Sequence, residues 1–291
     1  MKVAVVFVIY QQRDNLEEAL ASLRQSKVNR IEFKEIVIDN SRINRGFTGG
    51  NNQGIRQALE WDADAVWLLN DDVKVDMHAL SELEKTAGED GAGVVVPKIY
   101  FYPGFEFHKK RYSKKELGKV IWYAGGEIDW DNCIGKHRGV DEVDVGQFDK
   151  QVETEFATGC SMFIKKEAVE KTGLLNEKYF MYLEDLDYSM RLKRYGFKIV
   201  YQPKAVVWHK NAQSSGVGDD LHDYFFTRNR LLFGFEYAPL RTKLALLRES
   251  GRIMMKGSMW QKQGVIDFYL RKFGKGSWPA FAKVSEGEKC N

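Results

Sequence analysis

Cysteine is nearly absent from this chain. Its three residues, Cys133, Cys160 and Cys290, show no CxxC spacing. An odd, scattered set excludes a disulfide framework and a cysteine zinc site, and reads as free thiols in a reducing compartment. Long apolar runs are missing too. No stretch approaches the roughly 18–20 residues of a membrane span. The apolar opening from Val3 to Tyr10 is short, has no small-residue cleavage site and runs into Gln11-Gln12-Arg13-Asp14-Asn15. It reads as a buried strand rather than a signal peptide. The expected location is cytoplasmic, with any membrane contact peripheral and at the inner face. Internal repeats and low-complexity stretches are also lacking.

Charge of either sign is not in large excess. A net charge of +3 is too small to argue for nucleic acid. Its distribution is uneven. From Lys210 onward 14 Lys/Arg stand against 8 Asp/Glu, a net of +6, while the preceding residues carry 30 and 33, a net of −3. The basic tail implies an anionic partner, either a membrane surface or an acidic substrate. With 44% hydrophobic and 13% aromatic residues, the 291-residue chain has the material for a core and for one or two domains.

The first hundred residues alternate strand and helix. Lys2–Tyr10 has the continuous apolar character of a parallel strand buried on both faces. Asp14 can cap a helix that carries Leu16, Ala19, Leu20 and Leu23. Ile36–Ile38 is the next strand, ending at Asp39-Asn40-Ser41. Gly46–Gly50 is expected to form a flexible turn before a helix over Asn51–Trp61. Ala65–Leu69 is a third strand, ending at Asn70-Asp71-Asp72. A helix over Met77–Thr86 and a strand at Val94–Val96 follow. This order predicts a mostly parallel sheet with helices on both faces. Such sheets bind ligands at the carboxyl ends of their strands, which puts Asp39 and Asp71-Asp72 on one rim.

The pattern weakens from Ile99 to Glu153, which reads as an insertion of short strands shaping the acceptor side of a cleft. A strand is expected over Glu155–Ile164, a helix over Lys166–Thr172, and another from about Glu184 to a C-cap at Gly196. Short strands over Lys198–Tyr201 and Ala205–Trp208 lead to His209. The tail has a helix over Tyr224–Phe235 and a second starting near Pro239. In that second helix Leu240, Leu244, Leu247 and Met254 share a face, with Arg241, Lys243, Arg248, Arg252 and Lys256 around the rest. Ser285–Asn291 reads as disordered.

Four constellations carry chemistry. Asn70-Asp71-Asp72 offers carboxylates to a Mg²⁺ or Mn²⁺ that would neutralise a diphosphate leaving group, although Asn and Asp are equally at home in a turn. Glu184-Asp185, with Asp187 behind, offers a general base, although acids also favour a helix N-terminus. Trp208-His209 offers an imidazole ligand, or simply a partly buried histidine. Asn44 to Gly54 is a glycine-rich stretch that lets backbone amides approach a phosphate, with Arg45 beside it, or is an ordinary loop. It is neither a Walker A loop nor GxGxxG.

In order and spacing these pieces resemble the family 2 glycosyltransferases of the GT-A fold, in their rhamnosyltransferase-like branch. The resemblance runs from Val3 to about Arg230. It includes Ile38–Ser41, Asn44–Asn52, Leu69–Asp72, Gly125-Gly126, Thr158–Met162, Tyr182–Asp187, Trp208-His209 and Tyr224–Arg230. It departs from the family at Ile9–Arg13, where Thr-Tyr-Asn-Arg is usual, and at Asn70, where an acid often stands.

The resemblance implies an inverting, metal-dependent transfer of a sugar from a nucleotide diphosphate. The donor would be dTDP-rhamnose or a UDP-sugar, and the acceptor a glycan or lipid-linked hydroxyl. It implies Asp185 as the base, Glu184 as its orienter or an acceptor contact, and Asp72 with His209 as metal ligands. Asp39 would contact the nucleobase and Asp71 the ribose or the metal. Tyr10, Asn40, Arg45, Gly46 and Asn51 are the other candidate donor contacts. Arg228 and Arg230 are placed toward the diphosphate or the membrane. Residues 1–210 would form the transferase domain, with 99–153 as its insertion, and 211–291 a basic helical region. A non-catalytic nucleotide- or sugar-binding module is the alternative. A sugar-phosphate nucleotidyltransferase needs a glycine-rich loop after the first strand, and Tyr10–Asp14 has no glycine. The basic tail shows no nucleic-acid reader motif.

Overall fold

The computed structural model describes residues 1–10, 14–210 and 219–279. Gln11–Arg13, the side chain of Asp14, Cys290 and the end at Ser285–Asn291 lie outside the described residues. The chain opens with β1 (Lys2–Ile9), α1 (Asp14–Arg24), β2 (Glu32–Asp39), α2 (Gly46–Glu60) and β3 (Ala65–Leu69). Then come β4 (Val73–Val75), α3 (Ala79–Ala87) and β5 (Ala92–Phe101). Short strands β6 (Ile121–Tyr123), β7 (Gly126–Asp129), β8 (Ile134–His137) and β9 (Val152–Glu153) precede β10 (Ser161–Lys165), α4 (Lys166–Thr172), α5 (Glu184–Arg194) and β11 (Lys198–His209). Helices α6 (Asp220–Tyr237), α7 (Leu240–Lys256) and α8 (Met259–Tyr269) complete it.

The main path of the central sheet runs β2-β1-β3-β10-β5-β11-β4. The pairings β1–β2, β1–β3 and β5–β11 are parallel. β1 lies between two neighbours, and Val3 to Phe7 are fully buried. That is why its sequence is apolar throughout rather than alternating. β2 is at the edge and alternates, with Ile36 and Ile38 inward and Glu32, Lys34 and Val37 exposed.

Three sequence expectations change. Gly46–Gly50 is not a turn but the first part of α2. The reason is packing. A β-carbon on Gly50 would meet Val8 Cγ1 at 2.6 Å, and one on Gly54 would meet Val6 Cγ1 at 2.2 Å. These glycines let the helix lie against β1.

The strand expected over Glu155–Ile164 starts only at Ser161, and it is antiparallel to both β3 and β5. Before it, the backbone N–H groups of Ala157 and Gly159 donate to Ser189 Oγ and Asp185 Oδ2 on α5 instead of to a strand. Finally, the two strands before His209 are one, with a register break between Gln202 and Val206. Pro203 sits in that break, where its missing N–H does no harm.

The insertion is partly an extension of the sheet. β6 pairs with β5 and β9 with β11, while β7 and β8 form their own hairpin. The tail helices contribute Leu231, Phe233, Leu246 and Val265 to the main core. No helix among the described residues is long and apolar enough to cross a membrane.

Gly54→Ala tests the close approach. It gains about 1 kcal/mol of helix propensity. It also forces a methyl group into a buried, rotamerically stiff valine, which costs about 1–3 kcal/mol. A net loss of about 1 kcal/mol in urea denaturation is expected.

Candidate active site

The strand directions fix one rim. β1, β2 and β3 are parallel, and β10, reversed between β3 and β5, makes β5 and β11 run the same way. Their carboxyl ends therefore carry Tyr10, Asp39, Asn70–Asp72 and His209 together. The amino end of the reversed β10 brings Thr158-Gly159-Cys160 to the same edge.

Asp72 and His209 meet there. His209 Nε2 lies 3.0 Å from Asp72 Oδ1. The approach is off the N–H direction, so Oδ1 has no aligned donor, and His209 Nδ1 also lacks a partner. His209 is buried, and the ring of Trp122 from the insertion stands edge-on to it at 4.6 Å. Burial alone would lower its imidazolium, but the Cys160 sulfur beside it and the Asp72 carboxylate hold it well above the usual histidine range. Burial likewise opposes the Asp72 charge, and His209 outweighs it, so Asp72 stays below its ordinary value. For Asp71 the attraction of His209 is outweighed. Burial and the neighbouring Asp72 raise its carboxyl to about 6.

The spacing of the pair fits a hard divalent cation, which would have to displace the proton that His209 otherwise holds. Neighbouring ligands around an octahedral ion with bonds of about 2.1 Å stand about 3 Å apart. No group of three His, Cys, Asp or Glu side chains able to hold a metal occurs among the described residues. A cation held here would take its other ligands from substrate phosphate and water.

Asp185 opens α5, where the helix dipole favours its charge. Gly159 N–H donates to its Oδ2 at 3.1 Å and Leu186 N–H to its Oδ1 at 2.9 Å. Glu184 is buried, and its Oε2 has no partner. Burial raises both carboxyls. Glu184 goes well above its ordinary value because it also faces the Asp185 charge, whereas backbone N–H groups counter the rise at Asp185. Of the two, the backbone N–H groups favour the charge on Asp185.

The segment before these acids is strained. Phe180, Tyr182 and Leu183 have φ of 65°, 68° and 68°. Left-handed backbone costs about 1–2 kcal/mol per non-glycine residue. What holds it is α6. The Asn229 side-chain amide lies 2.7–2.9 Å from the carbonyls of Tyr179, Met181 and Tyr182. The Arg228 guanidinium donates to the carbonyls of Lys178, Tyr179 and Gly274. The Phe180 carbonyl accepts from Thr48 N–H at the start of α2.

These contacts correct two expectations. Arg228 is fully buried and taken up by carbonyls, so it faces neither a donor diphosphate nor a membrane. Arg230 pairs with Glu249 on α7. The α2 N-terminus is not an open phosphate cradle either. Gly46 N–H donates to Asn44 Oδ1 and Thr48 N–H to Phe180.

Asn40 is buried and shapes that entry, bonding the Gly46 carbonyl and the Arg45 N–H. Asn51 donates to the Phe47 carbonyl. Arg45, Asp39 and Tyr10 are exposed at the rim, with Asp39 Oδ1 accepting from Ser41 N–H. Asn229 was missed as a separate functional residue. Its signal was the Thr227-Arg228-Asn229-Arg230 stretch, whose polar side chains turn inward.

The sequence matches Glycosyltransferase like family 2 over residues 1–230. It is similar to the low-salt glycan biosynthesis hexosyltransferase Agl10 of Haloferax volcanii, 27% identical over 157 residues, covering 54% of this chain and 46% of that protein. It is also similar to the N-acetylglucosaminyl-diphospho-decaprenol L-rhamnosyltransferase of Mycobacterium tuberculosis, 33% identical over 110 residues, covering 35% of this chain and 36% of that protein. The chain thus spans less than half the length of the curated relatives it matches.

Among solved structures, GalNAc-T7 with UDP, GalNAc and Mn²⁺ is similar with a TM-score of 0.56 and 15% identity, covering 92% of this chain and 56% of that one. The mannosyltransferase PcManGT from Pyrobaculum calidifontis, in complex with GDP-Man and Mn²⁺, gives 0.51 and 11%, covering 96% and 76%. The fold is GT-A.

Two substitutions test the site's framework. Asn229→Ala takes the side-chain donor from the Met181 and Tyr182 carbonyls and leaves that of Tyr179 to Arg228 alone, and a loss of about 2 kcal/mol is expected in chemical denaturation. Trypsin should also cut sooner at Lys178. Asp71→Asn should stabilise the metal-free protein increasingly as pH rises. A carboxyl raised from 3.8 to about 6 on folding costs nothing below pH 3.8 and its full penalty above pH 6. The advantage over wild type should therefore be absent near pH 3.5 and reach at most about 3 kcal/mol by pH 7. Thermal melts across that range measure it.

Proposed function

This chain belongs to glycosyltransferase family 2, and from that premise we propose that it is an inverting, metal-dependent glycosyltransferase. The sugar comes from a nucleotide diphosphate and goes to an acceptor hydroxyl on a glycan or lipid-linked glycan. The observation that carries this reading is the junction at Thr158-Gly159-Cys160. Gly159 N–H is bonded to Asp185, the Cys160 carbonyl accepts the Asn70 N–H, and the Cys160 sulfur sits beside His209. One three-residue turn thus ties the acid pair of α5 to the Asp72–His209 pair.

The chemistry follows from these roles. Asp72 and His209 would hold a Mg²⁺ or Mn²⁺, which would supply positive charge for a departing diphosphate. Asp185 takes the proton of the acceptor hydroxyl as its oxygen bonds the anomeric carbon and the bond to the diphosphate breaks. A single displacement inverts that carbon, through an oxocarbenium-like transition state. Backbone donors on Asp185 hold its orientation and leave lone pairs on both oxygens for the proton. Burial and the Asp185 charge push the Glu184 carboxyl up, which disfavours a second charge beside the base. Tyr10, Asp39 and Arg45 stand at the rim for the nucleotide and its diphosphate. dTDP-rhamnose is the first donor to try, since the mycobacterial relative is named a rhamnosyltransferase acting on a diphospho-decaprenol acceptor. UDP-sugars come next.

Thermal shift with a panel of nucleotide diphosphates, with and without Mn²⁺, tests the donor site. A metal-dependent rise with dTDP or UDP is expected, and it should vanish in His209→Ala. Asp185→Asn should keep that rise and lose transfer by about 10²–10⁴-fold, the usual worth of a general base. Normal turnover in Asp185→Asn would remove it from the role. No shift with any nucleotide would favour a non-catalytic module.

A further inference from the structure

α7 has two faces of different character. Thr242, Leu246 and Ser250 are buried against the body of the protein. Facing away from them, Leu240, Leu244, Leu247, Met254 and Met255 are 72%, 48%, 51%, 42% and 73% exposed. At about 100° per residue these five side chains, with Gly251 between them, fall within an arc of about 100°. This stripe is not unfinished core, because the helix already buries its other side. Among the described residues nothing covers it.

The borders of the stripe are cationic. Arg241, Arg248 and Arg252 follow one border and Lys243 the other, with Lys256 at the last turn. The single acid of α7, Glu249, lies on the inward side and pairs with Arg230 of α6. Arg252 and Lys256 also line a cavity of about 570 Å³ between α6, α7 and α8, together with His222 and Arg230. On its other side the His222 ring stands 5.4 Å from the ring of Tyr182, two residues before Glu184.

We infer that α7 docks this face onto an anionic lipid bilayer, leucine and methionine side chains entering the headgroup–acyl boundary and the flanking cations meeting lipid phosphates. A helix of about 25 Å lying in the interface plane, with an apolar arc between basic borders, is built for that surface. Charge decides the occupant. A second copy of the same face would set Arg241, Arg248 and Arg252 against their own kind. The inference is independent of the transfer chemistry.

The experiment is co-sedimentation of the full chain with phosphatidylcholine vesicles and with vesicles that also contain phosphatidylglycerol. Binding to the anionic vesicles only, weakening as salt rises, is expected. Leu244→Glu/Leu247→Glu should weaken it at least about tenfold. Both positions are exposed, so the melting temperature should hold. Arg248→Gln/Arg252→Gln should weaken binding and flatten the salt dependence. Absence of wild-type binding to anionic vesicles, or unchanged binding by the leucine double variant, would overturn the inference. So would a wild-type dimer in sizing experiments that the leucine double variant splits, since the face would then be a contact between copies.

Discussion

The rim that carries Glu184 and Asp185 depends on a backbone that would not hold its shape alone. Phe180, Tyr182 and Leu183 all lie in the left-handed region, and the helix bearing Glu184 and Asp185 starts from them. The strain is of the order of several kcal/mol. It persists because two adjacent α6 side chains and one α2 amide hold the turn's carbonyls. The Asn229 amide must direct its nitrogen toward them, since its oxygen already accepts from Arg228. Helices α2, α5 and α6 thus converge on one short segment, and the position of the carboxylates follows from that convergence.

The second constraint is the reversal of β10. A parallel strand in that place would deliver its carboxyl end to the rim. The antiparallel strand delivers its amino end, and with it a turn whose amides are free for side chains. Ala157 and Gly159 use that freedom on α5, and Cys160 uses its carbonyl on the end of β3. Trp122 then closes over His209 from the insertion, which gives that irregular region a definite role in walling the Asp72–His209 pair.

What could be read from the sequence was what a local pattern dictates. β1 and β3 announced themselves as apolar runs, and α4 and the Gly196 stop after α5 followed from helical spacing and turn chemistry. The meeting of Asp72 with His209, far apart in sequence, was implied by the family resemblance, whereas the rule about strand ends reached only Asp39 and Asp71-Asp72. Errors arose where one letter serves two physical ends. Glycine marks flexibility and also close approach, and at Gly50 and Gly54 it is the approach that matters. Arginine suggests a phosphate until burial is known, and Arg228 turned inward to carbonyls. The two short strands expected over Lys198–Tyr201 and Ala205–Trp208 are one, with a register break that contains Pro203.

The place of β10 also governs the order in which the sheet can be built. β3 and β5 are complete within the first 101 residues, yet they are not neighbours. Each holds an open edge until residues 161–165 arrive to fill the gap between them. The nascent chain therefore carries the β2-β1-β3 edge and, apart from it, β5, joined only by the short β6 because β11 is made later still, with exposed, apolar edges through some sixty residues of synthesis. Such edges are templates for wrong pairing, and long-range closure is slow. Folding yield should depend on how soon that central strand is delivered, which makes the length and tidiness of the insertion a matter of assembly.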